Sequence, residues 1–241
     1  MRLDKYIADT GIASRKEAAK AARSGLVSVN GETVRDVSVH IDEKTASVIY
    51  CGAPLKREEY TYVMLNKPAG YISSTEPGAR TVMTLLPEEF TKMKMFPCGR
   101  LDIDTVGLLL ICNDGPLAHE LLSPRRHAEK TYGFRCCPPI DTDSARELEA
   151  GVDIGGYVTK PCRVQLSATG DSGEITLTEG KFHQIKRMFS SKGSEIVYLR
   201  RLSFGGIKLD ESLKEGQWRR LTDGEIETLR SAGAASGQAE N

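Results

Sequence analysis

With 241 residues, 39% of them apolar, the chain can bury a core as one large domain or as a large domain plus a small one, which excludes disorder over most of its length. No run of about twenty apolar residues occurs, and the N-terminus MRLDKYIADTG has no apolar signal segment, so a soluble, cytoplasmic protein with no membrane contact is expected. The formal net charge of zero leaves polyanion binding open, but residues 1–26 carry six basic side chains against three acidic, and residues 181–201 carry six against Glu195 alone.

Residues 1–57 read as a small α+β module. Ser14-Arg15-Lys16-Glu17 has the form of a capping box, which starts a helix by satisfying its first free N–H groups. Ala18, Ala19 and Ala22 then form a small-residue stripe to bury. Lys16, Lys20 and Arg23, with Arg15 beside them, give a basic face. Gly25 stops the helix, and LVSVNGETV alternates apolar and polar residues around Asn30-Gly31, a strong hairpin signal. A basic helix face next to a tight hairpin suits an RNA backbone gripped without base reading. The whole stretch, GLVSVNG above all, resembles the small RNA-binding domain named after ribosomal protein S4.

Polar, charged residues 52–61 read as a linker. Beyond it, strands are expected at 62–65, 107–112, 130–135, 158–166, 174–177 and 196–200. Helices are expected after caps at Asp114 and Asp141 and over 182–191. Without regular βα alternation, this order implies an α+β fold over 58–230 on a mixed, largely antiparallel sheet. Residues 231–241 read as a disordered tail. The six cysteines form no CxxC pair, and His40, His119, His127 and His183 are scattered, so free thiols and no metal are expected.

Chemistry concentrates in GRLDIDTVGLLLICNDG (99–115), a charged turn feeding an apolar strand. Asp102 and Asp104 can be a capping turn or a phosphotransfer pair, but in the latter the strand should precede the aspartates. Gly99, Arg100, Leu101, Asp102, Thr105 and Gly107 also satisfy Gly-Arg-Leu-Asp-x-x-Thr-x-Gly, the signature of pseudouridine synthases. YVMLNKPAGYIS, EKTY, EGKFHQIKRMF and SFGGIKL resemble further motifs of that family, so the likeness spans about residues 1–229. The branch it most resembles acts on 16S ribosomal RNA, its target being uridine 516, with sister enzymes acting on 23S RNA.

The resemblance implies a ribosomal RNA isomerase without cofactor or metal, in which Asp102 acts at the sugar, Tyr132 stacks on the extruded base and Lys186 pairs with Asp102. Arg100, Arg15, Lys16, Lys20, Arg23, Lys67 and Arg187 are expected to bind RNA. Arg125, Arg126, Arg200 and Arg201 are weaker phosphate candidates, His183 reads as structural, and Thr105 as shaping the turn. The partner is 16S RNA or a pre-ribosomal particle, met by a monomer. Two further readings remain open: a non-catalytic RNA-binding assembly factor, and a nucleoside or glycoside hydrolase using Asp102 and Asp104 as an acid/base pair.

Overall fold

Ser14 caps its helix from both directions: its hydroxyl accepts from the Glu17 N–H (3.3 Å), and its own N–H donates to the Glu17 carboxylate (2.7 Å). In the computed structural model, which describes residues 1–123 and 128–234, this cap lies in the first of two compact units, residues 1–61 with 86–96. Helices α1 (Leu3–Asp9) and α2 (Arg15–Arg23) bury Leu3, Ile7, Ala18 and Ala22 against Val27 and Val48. Ala21, rather than Ala19, completes the buried stripe. Arg15, Lys16, Lys20 and Arg23 are all exposed.

Strands β1 (Val27–Val29) and β2 (Glu32–Thr33) form the expected hairpin, with Asn30 and Gly31 at φ 51° and 88° as a two-residue turn of this hand requires. With β3 (Val48–Tyr50) and β4 (Ala53–Leu55) they form a four-stranded sheet in the order β2-β1-β3-β4. The linker expected over 52–61 is therefore corrected. Residues 53–55 are a strand paired with β3, and Arg57 is tied to Asp9 (3.1 Å) and Glu43 (3.2 Å). Nor does the unit end at residue 57, because the segment carrying α3 (Glu88–Lys92) returns to it.

The second unit comprises residues 62–85 and the described residues from 97 onward. Its sheet runs β13-β5-β7-β11-β8-β10-β9: Trp218–Arg220, Tyr62–Lys67, Val106–Cys112, Glu195–Phe204, Lys130–Cys137, Ser172–Leu177 and Arg163–Leu166. Short β6 (Phe96–Pro97) and β12 (Ile207–Lys208) complete the strands. Every neighbouring pair on that path is antiparallel except β7–β11, so the mixed, largely antiparallel α+β expectation holds. β5 and β7 are buried at every position, which explains their unbroken apolar reading.

Gly107 allows the parallel contact. It sits at φ +98°, and a Cβ there would lie 2.4 Å from the Arg201 carbonyl oxygen of β11.

Asp114 and Asp141 cap α4 (Gly115–Leu122) and α5 (Thr142–Ala150), accepting from the N–H groups of Leu117 (3.0 Å) and Ser144 (2.8 Å). Helix α6 (Gln184–Ser190) lies inside its expected span. The strand expected at 158–166 is only Arg163–Leu166, because Pro161 interrupts the ladder and Val158 makes just an isolated bridge to Asp153. The tail is also corrected: α7 (Asp223–Ala234) orders its first four residues, and 235–241 lie outside the described residues. Among the described residues no helix is long and apolar enough to cross a membrane, and no group of three or more His, Cys, Asp or Glu could hold a metal ion.

Candidate active site

The loop before β7 is held by its own backbone and by buried polar side chains. The Thr105 N–H closes a turn onto the Asp102 carbonyl (3.1 Å), as expected of a turn-shaping residue, and the Gly70 N–H donates to the Ile103 carbonyl (2.7 Å). Ser73 both donates to the Leu101 carbonyl and accepts from the Leu101 N–H, each at 3.1 Å.

At the end of β5, Lys67 is 0% exposed. Its ammonium donates to the carbonyls of Pro68 (3.2 Å), Asp102 (3.0 Å), Ile103 (3.3 Å) and Thr105 (2.8 Å). Lys67 therefore does not contact RNA as expected; it is a buried clasp on the loop. Burial pushes its pKa down to about 8, against the pull of Asp104 and Asp102.

Asp102 projects from this loop into a cleft whose lining includes Arg100, Thr105, Tyr132, His183 and Lys186. Tyr132, on β8 between Ile175 of β10 and Arg201 of β11, is 9% exposed. Lys186, on the first turn of α6, brings its Nζ to 3.4 Å from Asp102 Oδ2. It lies closer to Asp104, at 2.6 and 2.8 Å from the two carboxylate oxygens. The expected Asp102–Lys186 pair is thus one arm of a triangle whose tighter arm is Asp104. Partial burial raises the Asp104 pKa, but the Lys186 hydrogen bond and charge outweigh it and hold that carboxyl below the usual range.

The triangle is only partly buried. The side chains of Lys186, Asp102 and Asp104 are 25%, 29% and 63% exposed. Solvent screens such contacts, so Lys186→Ala should cost less than about 1 kcal/mol of folding stability. The same variant should slow turnover by about 10²-fold, because a cation facing the reacting carboxylate is lost from the cleft. Thermal denaturation beside single-turnover kinetics separates the two effects.

His183 was read as structural, yet it lines the cleft with its Nε2 3.7 Å from Asp102 Oδ1. It adopts a left-handed backbone (φ 50°) immediately before α6 and stacks on Phe182 at 3.8 Å between centroids; Phe182 is 70% exposed. Helix spacing could not have found it, because His183 stands outside α6 in a left-handed conformation; only its nearness in sequence to Lys186 pointed to it. Gln184, also missed, is buried and ties the turn together, donating to Glu179 (2.8 Å) and accepting from the Lys181 N–H (2.8 Å).

Of the other expected RNA contacts, Arg100 is exposed at the cleft rim, while Arg187 is not among the lining residues. Arg201 is buried, its Nε donating to the Leu108 carbonyl (2.6 Å), and Arg200 is half-buried. Arg125 and Arg126 lie outside the described residues.

Residues 61–191 match the family described as RNA pseudouridylate synthase, and residues 1–45 match the S4 domain. An uncharacterized RNA pseudouridine synthase of Bacillus subtilis is 45% identical over 235 residues, covering 95% of this chain and 98% of that protein. The ribosomal small subunit pseudouridine synthase A of Escherichia coli is 40% identical over 233 residues, covering 95% of this chain and all of that one. A crystal structure of a pseudouridylate synthase superimposes with a TM-score of 0.66 at 36% identity, covering 95% of this chain and 99% of that one.

Proposed function

The chain belongs to the RNA pseudouridylate synthase family, and from that premise we propose that it isomerises one uridine of 16S ribosomal RNA to pseudouridine, with Asp102 as the reacting carboxylate. The observation that carries this reading is the placement of Asp102: a carboxylate on a clasped loop, facing Lys186 at 3.4 Å across a cleft that also presents Tyr132. The 16S assignment rests on full-length similarity to the small-subunit enzymes; uridine 516, the target implied by the motif resemblance, is the position proposed.

Isomerisation breaks the N1–C1′ bond, turns the base and joins C5 to C1′, with no redox change and no added group. It needs an ionised carboxylate at the sugar, as nucleophile, base or partner of developing positive charge. Lys186 sets a positive charge 3.4 Å from the Asp102 carboxylate, while Lys67 fixes where it stands. A uridine in folded RNA must leave its stack to reach Asp102, at a cost of a few kcal/mol. The ring of Tyr132 offsets about 1–3 kcal/mol of that by stacking on the base. Arg100, at the rim, meets the incoming RNA.

The S4-type unit supplies affinity through Arg15, Lys16, Lys20 and Arg23, all exposed on one small module. Replacing Lys16, Lys20 and Arg23 together by Ala should lower the slope of log affinity against log salt by about 2, at roughly 0.7–0.9 per phosphate contact. An unchanged slope in binding titrations across a salt series would remove these side chains from the RNA interface.

The deciding experiment maps pseudouridines chemically across ribosomal RNA from cells with and without the gene. Loss of one 16S site is expected. Loss of a 23S site instead moves the target to the large subunit, and no loss at all leaves the assembly-factor reading in its place.

A further inference from the structure

A second recess adjoins the catalytic cleft and shares Arg100, Tyr132, Glu179 and Lys181 with it. Among the described residues its charges are unbalanced: Arg100, Lys130, Lys160, Lys181 and Arg201 line it against one carboxylate, that of Glu179. That carboxylate is already committed, accepting from the Tyr157 hydroxyl (2.6 Å), the Lys160 N–H (2.9 Å) and Gln184 Nε2 (2.8 Å).

Two of the cations are buried. Arg201 is 2% exposed; its Nε is satisfied by Leu108, but its Nη2 is buried and has no hydrogen-bond partner among the described residues. Lys130 is 9% exposed, with its ammonium donating to the Ala128 carbonyl at 2.9 Å. Both lie against the ring of Phe204, at 5.0 Å for Arg201 and 5.5 Å for Lys130. Burial, reinforced by the neighbouring Arg201 charge, pushes the Lys130 pKa down to about 8. Gathering like charges in a half-closed space is costly unless an anion is meant to join them. A neutral water molecule in the recess leaves the repulsion in place, whereas an anion relieves it.

We propose that this recess, built around Arg201 and Lys130, binds a phosphate group, supplied by an RNA phosphodiester adjacent to the nucleotide held at Asp102. The inference rests on the reading of the cleft as a nucleotide site. Because Arg100 and Tyr132 line both spaces, one connected ligand can place its nucleoside in the first and its backbone phosphate in the second. The phosphate then serves as a fixed point from which the sugar is presented to the carboxylate.

The test has two arms, both on the full chain. In the first, inorganic phosphate is compared with chloride at matched ionic strength. Phosphate should raise the melting temperature of the parent protein and broaden its own ³¹P resonance, and Lys130→Met should abolish both effects. In the second, RNA fragments carry a neutral methylphosphonate at single positions flanking the target uridine, and binding is measured with the Asp102→Asn protein so that product formation is not needed. One position should weaken binding about tenfold or more. The loss should vanish when Lys130→Met is added.

A phosphate response without any sensitive RNA position would overturn the RNA source and assign the recess to a free phosphate. No response in either arm would overturn the site altogether. Should Lys130→Met fail to fold, the ³¹P broadening and the methylphosphonate scan in the Lys130-containing proteins still decide the matter. Since neither arm reads catalysis, their failure is distinguishable from a failure to form pseudouridine.

Discussion

Asp102→Asn should leave RNA affinity within about threefold of the parent while lowering single-turnover pseudouridine formation by at least about 10³-fold, the scale seen when a reacting side chain is removed. The amide keeps the shape of the carboxyl and loses only its charge. Folding should be unaffected, because Asp102 is half-buried and Lys186 keeps its closer partner, Asp104. The comparison with Asp104→Asn sharpens the result. If the two aspartates formed a hydrolytic acid/base pair, either substitution would stop the reaction and the parent enzyme would release free uracil. In the isomerase, Asp104→Asn frees Lys186 to settle on Asp102, and the base stays in the RNA. Gel-shift binding with tritium-release or mass-spectrometric assays of product tests all three statements, and full activity in Asp102→Asn would remove the mechanism.

Lys67→Met should destabilise the protein by about 3 kcal/mol or more, because it takes a buried cation from several carbonyls that cannot find other donors. For a chain of this size that corresponds to a fall of about 6–12 °C in melting temperature. Activity should fall with it even well below the melting transition, since three of the four carbonyls that Lys67 holds belong to Asp102, Ile103 and Thr105. The pH dependence gives an independent check. Burial lowers the folded-state pKa of Lys67 to about 8 from its ordinary 10.5. Between those values the unfolded chain holds more protons than the folded one, so the contribution of Lys67 to stability rises with pH across that window. Lys67→Met should lack that rise, leaving a smaller gain than the parent shows. Denaturant melts from pH 7 to 10 on both proteins measure it, and parallel curves would show that the ammonium is not strained by burial.

These two side chains show where a linear reading succeeds and where it stops. The loop that carries Asp102 was legible because a motif of fixed spacing marks it and an apolar strand, β7, follows at once. Ser14, Asn30-Gly31, Asp114 and Asp141 were legible for a related reason: a cap or tight turn is satisfied by residues two to four positions away, so its physics is local. Lys67 was misassigned because a lysine after a strand looks the same whether its ammonium reaches solvent or a ring of carbonyls. Three of the four carbonyls come from a loop some thirty-five residues downstream. The linker at 52–61 was misplaced for the same reason. β4 is only Ala53-Pro54-Leu55, too short to show an alternating pattern before the charged residues 56–59, and only its pairing with β3 distinguishes it from a loop.

The amino-acid order by itself determined the α+β class, the presence of an S4-like module before a larger domain, the helix starts, and the loop that carries the candidate carboxylate. Each depends on periodicity, capping or motif spacing, which act over a few neighbouring residues. Tertiary structure alone decided that Lys186 is shared between Asp102 and Asp104, that His183 faces the cleft, that Lys67 and Arg201 are buried, and that residues 86–96 return to the first unit. Those facts are distances between segments far apart in the chain. Burial and charge pairing depend on which segments meet, and no local pattern encodes that meeting.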